Sequence, residues 1–150
     1  MKLKYEGAFE VSKSPREVFK FLTDPYKFAR TFPGFRSVEV SEGGSFTVNL
    51  NVNIGPLRGD ATLEGSFIEV REYSYAKVSG RGVGVGSSLN FVLEFRVTSL
   101  NSTSRVDWTF EGEIGGLAAS IGERVLNAIA KNMVDDIISN IVEALTTGPP

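Results

Sequence analysis

The 150-residue chain contains no cysteine, no histidine and no glutamine. Without histidine and cysteine it has no Ser–His or Cys–His nucleophile pair, none of the usual zinc ligand sets and no disulfide. We therefore expect no metal centre, no cofactor and no catalytic residue. If the chain were an enzyme, the chemistry would fall to carboxylates, Lys, Tyr, Ser or Thr. A lack of glutamine and cysteine is also mildly typical of thermophile proteins.

The chain also lacks a strong charge of either sign, with a formal net charge of -2. A nucleic-acid-binding protein would carry a clear basic excess, so no nucleic-acid partner is expected. No stretch reaches the roughly 20 apolar residues of a membrane span. The N-terminus has charges but no apolar run, so no secretory signal is expected there. We expect one cytoplasmic domain over residues 1–150.

Two short helices follow a first strand that is predicted from Leu3 to Val11. Ser14-Pro15-Arg16-Glu17 fits a capping box, in which Ser14 accepts from the backbone three residues on and Pro15 takes the first helical position. Asp24-Pro25 repeats this start signal, and Pro33-Gly34 ends the second helix.

From Phe35 onward the apolar residues alternate with period two, which predicts strands with one buried face. The pattern is clearest over 46–54, 89–97 and 106–114. A slip at Ile68 and Val70 suggests a bulge. The segment from Gly80 to Gly86 does not have the spacing of a nucleotide-binding loop. We expect its glycines to form a tight hairpin, to allow a close approach of the helix, or to open the mouth of a pocket. Short connections without helices indicate antiparallel pairing.

The last part of the chain, Leu117 to Leu145, is predicted to form one long helix that ends at Gly148-Pro149-Pro150. Its apolar line moves around the helix in the last turns, so the helix either follows a twisted sheet or makes a second contact there. The line begins with Ala118, Gly122, Val125, Leu126, Ile129 and Met133 and continues with Val134, Ile138, Ile141 and Leu145.

These elements predict an α+β helix-grip fold, in which a curved antiparallel sheet of about seven strands surrounds a long C-terminal helix. The order of elements resembles the START-like (SRPBCC) superfamily. Within it, the segment from Ser14 to Pro25, followed by Thr31-Phe32-Pro33-Gly34-Phe35, is similar to the carbon monoxide dehydrogenase G-subunit (CoxG) family. Weaker similarities are Gly65, the glycines from 80 to 86, and the segment from Gly115 to Arg124.

The resemblance implies an accessory, ligand-binding role beside a carbon monoxide dehydrogenase-like molybdenum hydroxylase, in its assembly or recruitment. Superfamily relatives hold lipids, sterols or polyketides between sheet and helix, so an apolar small molecule is the expected partner. Family members that attach enzymes to membranes extend beyond the domain with an apolar tail. Because this chain ends at Pro150, only peripheral membrane contact is expected.

The predicted ligand-binding residues are the inward aromatic side chains and the apolar line of the helix, since apolar pockets are lined by such groups with a few polar ones. Asp136 is included because its helical position points toward the buried face and a carboxylate there would orient a ligand head. The set is Phe28, Phe32, Phe35, Phe91, Trp108, Phe110, Val125, Ile129, Met133 and Asp136.

Two other functions remain open. A polyketide cyclase or dehydratase of the same superfamily would need an acid–base group with a shifted pKa. The candidates for that group are Tyr73, Tyr75, Arg81 and Asp136. Alternatively, the helix end around Val134, Ile138 and Ile141 would serve as a protein-interaction surface, including a homodimer.

Overall fold

The framework of the molecule is a single antiparallel sheet. A computed structural model describes residues 1–147, and within them the sheet has seven strands. The strands are β1 (Lys2–Val11), β2 (Phe35–Val40), β3 (Phe46–Ile54), β4 (Leu57–Arg71), β5 (Tyr75–Gly84), β6 (Ser87–Leu100) and β7 (Thr103–Gly116). Their order is β1-β7-β6-β5-β4-β3-β2, so the first strand lies beside the last. The predicted antiparallel sheet is therefore confirmed.

Both predicted short helices are present, as α1 (Pro15–Leu22) and α2 (Pro25–Phe28), and a 3-10 turn follows over Ala29–Thr31. The Ser14 hydroxyl oxygen accepts from the Glu17 backbone N–H at 3.2 Å. The Asp24 carboxylate accepts from the Tyr26 N–H at 3.0 Å. Each cap satisfies one of the backbone donors that a helix start leaves free.

The connections between strands are tight turns, as the sequence predicts. Gly55 and Pro56 join β3 to β4, Val85 and Gly86 join β5 to β6, and Asn101 and Ser102 join β6 to β7. The predicted bulge is confirmed, because the register of β4 against β5 shifts between Phe67 and Glu69. The glycine-rich segment from Gly80 to Gly86 is the end of β5 and its hairpin turn.

The prediction of one unbroken helix from Leu117 is wrong. The segment forms α3 (Leu117–Ser120) and α4 (Glu123–Thr147), separated by Ile121 and Gly122. Gly122 has φ +97°, a left-handed conformation that a right-handed helix cannot continue through. Residues 148–150, predicted to end the helix, lie outside the described part of the chain.

The core consists of two clusters on the inner face of the sheet. The first core cluster joins α1 and the end of α4 to the sheet, with Val18, Ala76 and Val106 at 0–1% exposure. The second core cluster lies between α2 and the strands β3 to β7. Its buried members are Ala29, Phe46, Val48, Val78 and Phe91.

The moving apolar line of α4 follows the sheet. Ile141 is buried, and Val142 and Leu145 pack on the first core cluster. The end of α4 therefore faces the interior, which removes Ile141 from the surface proposed for a protein partner.

Candidate functional site

A row of stacked aromatic rings lies on the inner face of β1, β7 and β6. The rings of Tyr5 and Phe110 have centroids 6.2 Å apart, and those of Phe110 and Phe91 are 5.7 Å apart with an interplanar angle of 15°. We call Tyr5, Phe110 and Phe91 the aromatic floor. A floor of roughly parallel rings offers an apolar surface to a flat or extended molecule.

A second aromatic group stands on the other half of the sheet's inner face, between α2 and the strands β3 and β4. The ring of Phe28 meets Phe46 edge-on at 5.2 Å and Phe67 at 6.3 Å, and Phe32 lies 6.1 Å from Phe28. We call Phe28, Phe32, Phe46 and Phe67 the aromatic wall. The site therefore has an apolar base and an apolar side built from two different parts of the chain.

Glycines in the sheet allow these rings to lie against the backbone. A Cβ on Gly65 would come within 2.5 Å of Phe46, and one on Gly80 within 2.6 Å of Phe91. Two glycines thus provide the space for one ring each in the wall and the floor. Because Phe46 and Phe91 lie against the backbone of the sheet, they take up less of the space between the sheet and α4.

The inner face is not uniformly buried. The members of both core clusters are buried, and each cluster is surrounded by partly exposed apolar side chains, several of them large around the second cluster. On α4 only Leu126 and Ile141 are buried, and the apolar side chains between them, such as Ile129 and Met133, are partly exposed. Part of the apolar surface on the inner face of the sheet and on α4 is therefore exposed to solvent. The partly exposed positions are Leu50, Leu63, Leu89, Leu93 and Phe110 on the strands and Ile129 and Met133 on the helix.

Two long-range hydrogen bonds hold α4 over this region. The Tyr5 hydroxyl donates to Oδ1 of Asn127 at 2.6 Å, and Nδ2 of Asn140 donates to the Thr31 carbonyl at 2.9 Å. Burial raises the pKa of Tyr5, and the charge of Glu123 raises it further. Tyr5 is therefore held as the neutral donor that this bond requires.

The structure brings most of the predicted ligand-binding residues to the inner face. Phe28, Phe32, Phe35 and Phe110 pack on the second core cluster, to which Phe91 belongs. The remaining aromatic residue, Trp108, packs on the first core cluster.

Two predicted residues do not face the interior. Val125 is 47% exposed, and Asp136 is also exposed. Because α4 starts after the break at Gly122, Leu126 rather than Val125 takes the inward position of its first turn. Further along, the apolar line moves with the twist of the sheet and leaves Asp136 on the solvent side.

Three aromatic residues of the site are missing from the prediction: Tyr5, Phe46 and Phe67. Phe46 and Phe67 stand on the apolar side of alternating strands, so the pattern contained the necessary signal. Tyr5 alternates with Leu3 and Phe9 in the same way, but its contact with Phe110 depends on the pairing of β1 with β7.

The candidate acid–base residues do not form a cluster. Tyr73 packs edge-on against Phe19, whereas Arg81 is exposed and donates to Asn90. The guanidinium groups of Arg71 and Arg96 lie over the ring of Tyr75, at 5.3 and 5.0 Å from its centroid.

The phenol of Tyr75 donates to Glu94 at 3.0 Å. Partial desolvation raises the pKa of Tyr75, and this hydrogen bond raises it further. A raised phenol pKa disfavours the phenolate that a general base at this position would need.

The outer face of the sheet carries two open depressions of about 460 and 1080 Å³. Most of their lining side chains alternate in sequence with those of the core and point away from it, although core residues such as Phe91 and Phe95 also line them. The larger depression contains Lys4 and Glu111, which pair at 3.6 Å, and the smaller contains Arg105 and Asp107, which pair at 3.1 Å. Charges of both signs neutralise one another there, and neither depression favours a ligand of one charge.

Within residues 1–147, no three acidic side chains are grouped so that they could hold a metal ion. In the same part of the chain, no helix is long and apolar enough to cross a membrane.

A curved antiparallel sheet that closes around a long C-terminal helix, with an apolar inner face, is the arrangement of the START-like helix-grip class. The structure of a conserved protein from Geobacillus kaustophilus is similar, with a TM-score of 0.90 at 22% identity over 97% of this chain and 96% of that one. A START superfamily protein from Mycobacterium smegmatis has a TM-score of 0.72 at 8% identity over 96% and 97%. The ZhuI aromatase/cyclase from Streptomyces sp. R1128 has a TM-score of 0.68 at 15% identity over 97% and 94%. At these identities the similarity establishes the fold.

The family follows from the sequence match. The carbon monoxide dehydrogenase G-subunit (CoxG) family matches residues 7–146, nearly the whole chain, and the protein belongs to that family. No curated protein sequence matches the chain significantly.

Proposed function

We propose that the protein binds one apolar or amphipathic small molecule between the sheet and α4 without transforming it. The observation that carries the proposal is the partly exposed apolar surface on the inner face of the sheet and on α4. In a well-packed core such large side chains would be covered on all sides. Pockets for small ligands are concave and mostly apolar, with a few polar groups that fix the orientation of the ligand.

Membership of the CoxG family supports an accessory role. We propose that the bound molecule serves a carbon monoxide dehydrogenase-like molybdenum hydroxylase, during assembly of the enzyme or its recruitment, in the cytoplasm. This proposal predicts a complex between the purified protein and the purified hydroxylase of the same organism. Co-migration on size exclusion supports the accessory role, and separate elution of the two proteins at micromolar concentration contradicts it.

The dispersal of Tyr73, Tyr75, Arg81 and Asp136 supports a binding protein over a cyclase-like enzyme. The similarity to an aromatase/cyclase lies in the fold, at 15% identity. For the adaptor alternative, partial burial of Val134 and Ile138 beside the buried Ile141 leaves little free apolar surface at the end of α4.

Filling the inner space tests the binding proposal directly. Leu93 lies on the inner face of β6 between Val78 and Phe110, and Val92 lies next to it on the outer face. We expect wild type to bind cis-parinaric acid, a fatty acid that fluoresces when it is buried. We expect Leu93→Trp to weaken this binding at least tenfold while the protein stays folded, because the indole takes the space of the ligand.

Val92→Trp is the matched control, and it should bind the probe like wild type. If the interior were filled, Leu93→Trp would overpack the core, at a cost of about 1–3 kcal/mol of stability. An unfolded or strongly destabilised Leu93→Trp protein, together with a wild type that binds no probe, would contradict the proposal.

A further inference from the structure

One buried polar atom on the inner face has no hydrogen-bond partner among residues 1–147. The indole nitrogen of Trp108, the sole tryptophan of the chain, is buried and makes no hydrogen bond to any described residue. Buried indole N–H groups usually find an acceptor. A donor that is buried without one costs about 1–3 kcal/mol.

The position of Trp108 links this atom to the binding site. Trp108 precedes Phe110 of the aromatic floor by one inward position on β7, and it pairs with Gly7 of β1. A Cβ on Gly7 would lie 2.7 Å from the indole ring and 3.1 Å from its nitrogen. The missing side chain therefore lets the indole lie over β1 beside Gly7, two residues along the strand from Tyr5 of the floor.

The surroundings also limit the charge of an acceptor that could reach the indole N–H. Among the described residues, the cation–π contacts of arginine side chains involve Phe35, Tyr73 and Tyr75 and not Trp108. A carboxylate or phosphate oxygen brought to the indole would therefore have no cation stacked on this ring to offset the cost of burying its charge. A neutral oxygen, such as that of a carbonyl, carries no such penalty.

We infer that Trp108 is the specificity-determining residue of the site and that its indole N–H donates a hydrogen bond to a neutral carbonyl-type oxygen of the ligand. The inference rests on the proposed function, since it places the ligand on the aromatic floor. A site with a buried donor discriminates against analogues that lack the matching acceptor, because those leave the donor unpaired.

Fluorene and 9-fluorenone test this assignment because they have nearly the same shape and differ by one carbonyl oxygen. We expect wild type to bind 9-fluorenone about tenfold more tightly than fluorene by calorimetry. Trp108→Phe should bind the two probes within about twofold of each other, because it keeps an aromatic ring and loses the N–H. Phe110→Leu, the comparison variant, should weaken both probes alike and keep the preference.

The single indole resonance of the ¹⁵N-labelled protein gives a second readout that a purely structural role would not move. We expect this resonance to shift downfield with 9-fluorenone and much less with fluorene. Equal affinity of wild type for both probes, or an indole resonance that 9-fluorenone leaves in place, overturns the role of Trp108 and leaves the binding proposal intact. Failure of wild type to bind either probe overturns the binding proposal and this assignment with it.

Discussion

The hydroxyl of Tyr5 in β1 donates a 2.6 Å hydrogen bond to Oδ1 of Asn127 in α4, across 122 positions of sequence. Tyr5 is also the outermost ring of the aromatic floor, stacked on Phe110. One side chain thus contributes to the base of the proposed binding space and holds the helix that covers it. Loss of this bond should therefore affect both stability and ligand retention.

Tyr5→Phe should lower the free energy of unfolding by about 1 kcal/mol, the typical net contribution of one hydrogen bond. The ring remains, so its stacking on Phe110 is preserved and the effect belongs to the hydroxyl. Urea unfolding followed by circular dichroism measures the change. Tyr26→Phe is the control, because Tyr26 is 53% exposed and should leave the midpoint unchanged. Equal urea midpoints for wild type and Tyr5→Phe would show that this hydrogen bond contributes nothing to the stability of the fold.

The same bond predicts a dependence of stability on alkaline pH. Burial and Glu123 raise the pKa of Tyr5 in the folded state above its ordinary value of 10.0. The folded protein therefore favours the neutral phenol. Its contribution is complete below pH 10 and is lost as the pH rises through the folded-state pKa. Wild type should lose more stability than Tyr5→Phe in urea unfolding above pH 10, and parallel losses would contradict this.

The glycines under the aromatic rings give a matched pair on one strand. In Gly80→Ala the new methyl would meet the Glu64 carbonyl oxygen at 2.5 Å and the Phe91 ring at 2.6 Å, whereas in Gly82→Ala its nearest neighbour would be 3.9 Å away. We expect Gly80→Ala to destabilise the protein by about 1–3 kcal/mol, as overpacking does, and Gly82→Ala to be tolerated. Thermal unfolding of both variants measures this difference in stability. Equal melting temperatures would mean that Phe91 does not lie on Gly80.

The turn between β5 and β6 carries a residue that is poorly suited to its backbone. Val85 and Gly86 have φ of +54° and +65°, the pattern of a type I′ turn, in which Asn-Gly is strongly preferred. A β-branched residue in this conformation is strained by roughly 1–2 kcal/mol. Val85→Asn should therefore stabilise the protein by about 1 kcal/mol in urea unfolding. Val85→Ala, which keeps most of the strain, should give no such gain, and a gain of the same size from alanine would contradict the explanation.

Most of the fold can be predicted from the sequence because its signals are local. Alternating side chains mark the strands, and the Ser14 and Asp24 caps mark the two short helices. The helix break at Gly122 is harder to predict, since apolar residues continue at helical spacing on both sides of it. One glycine inside a helix costs only about 1 kcal/mol relative to alanine, so the periodicity outweighs it until the backbone conformation is known.

The site is less predictable because its contacts join distant strands. Phe91 and Phe110 follow from alternation, but the stack that includes Tyr5 requires β1 to pair with β7. The exposure of Val125 and Asp136 depends on where α4 begins and on how far the sheet twists. The unpaired state of the Trp108 nitrogen depends on every neighbour of the ring, and no local pattern contains that information.

Native mass spectrometry of freshly purified protein, followed by organic extraction of the molecules that denaturation releases, tests the binding proposal most directly. We predict a mass above that of the bare chain that corresponds to about one bound molecule per chain. We also predict that an apolar molecule is recovered in the extract. A protein that shows only its bare chain mass, both as purified and after incubation with cis-parinaric acid, would contradict the proposal that the space between sheet and helix holds a ligand.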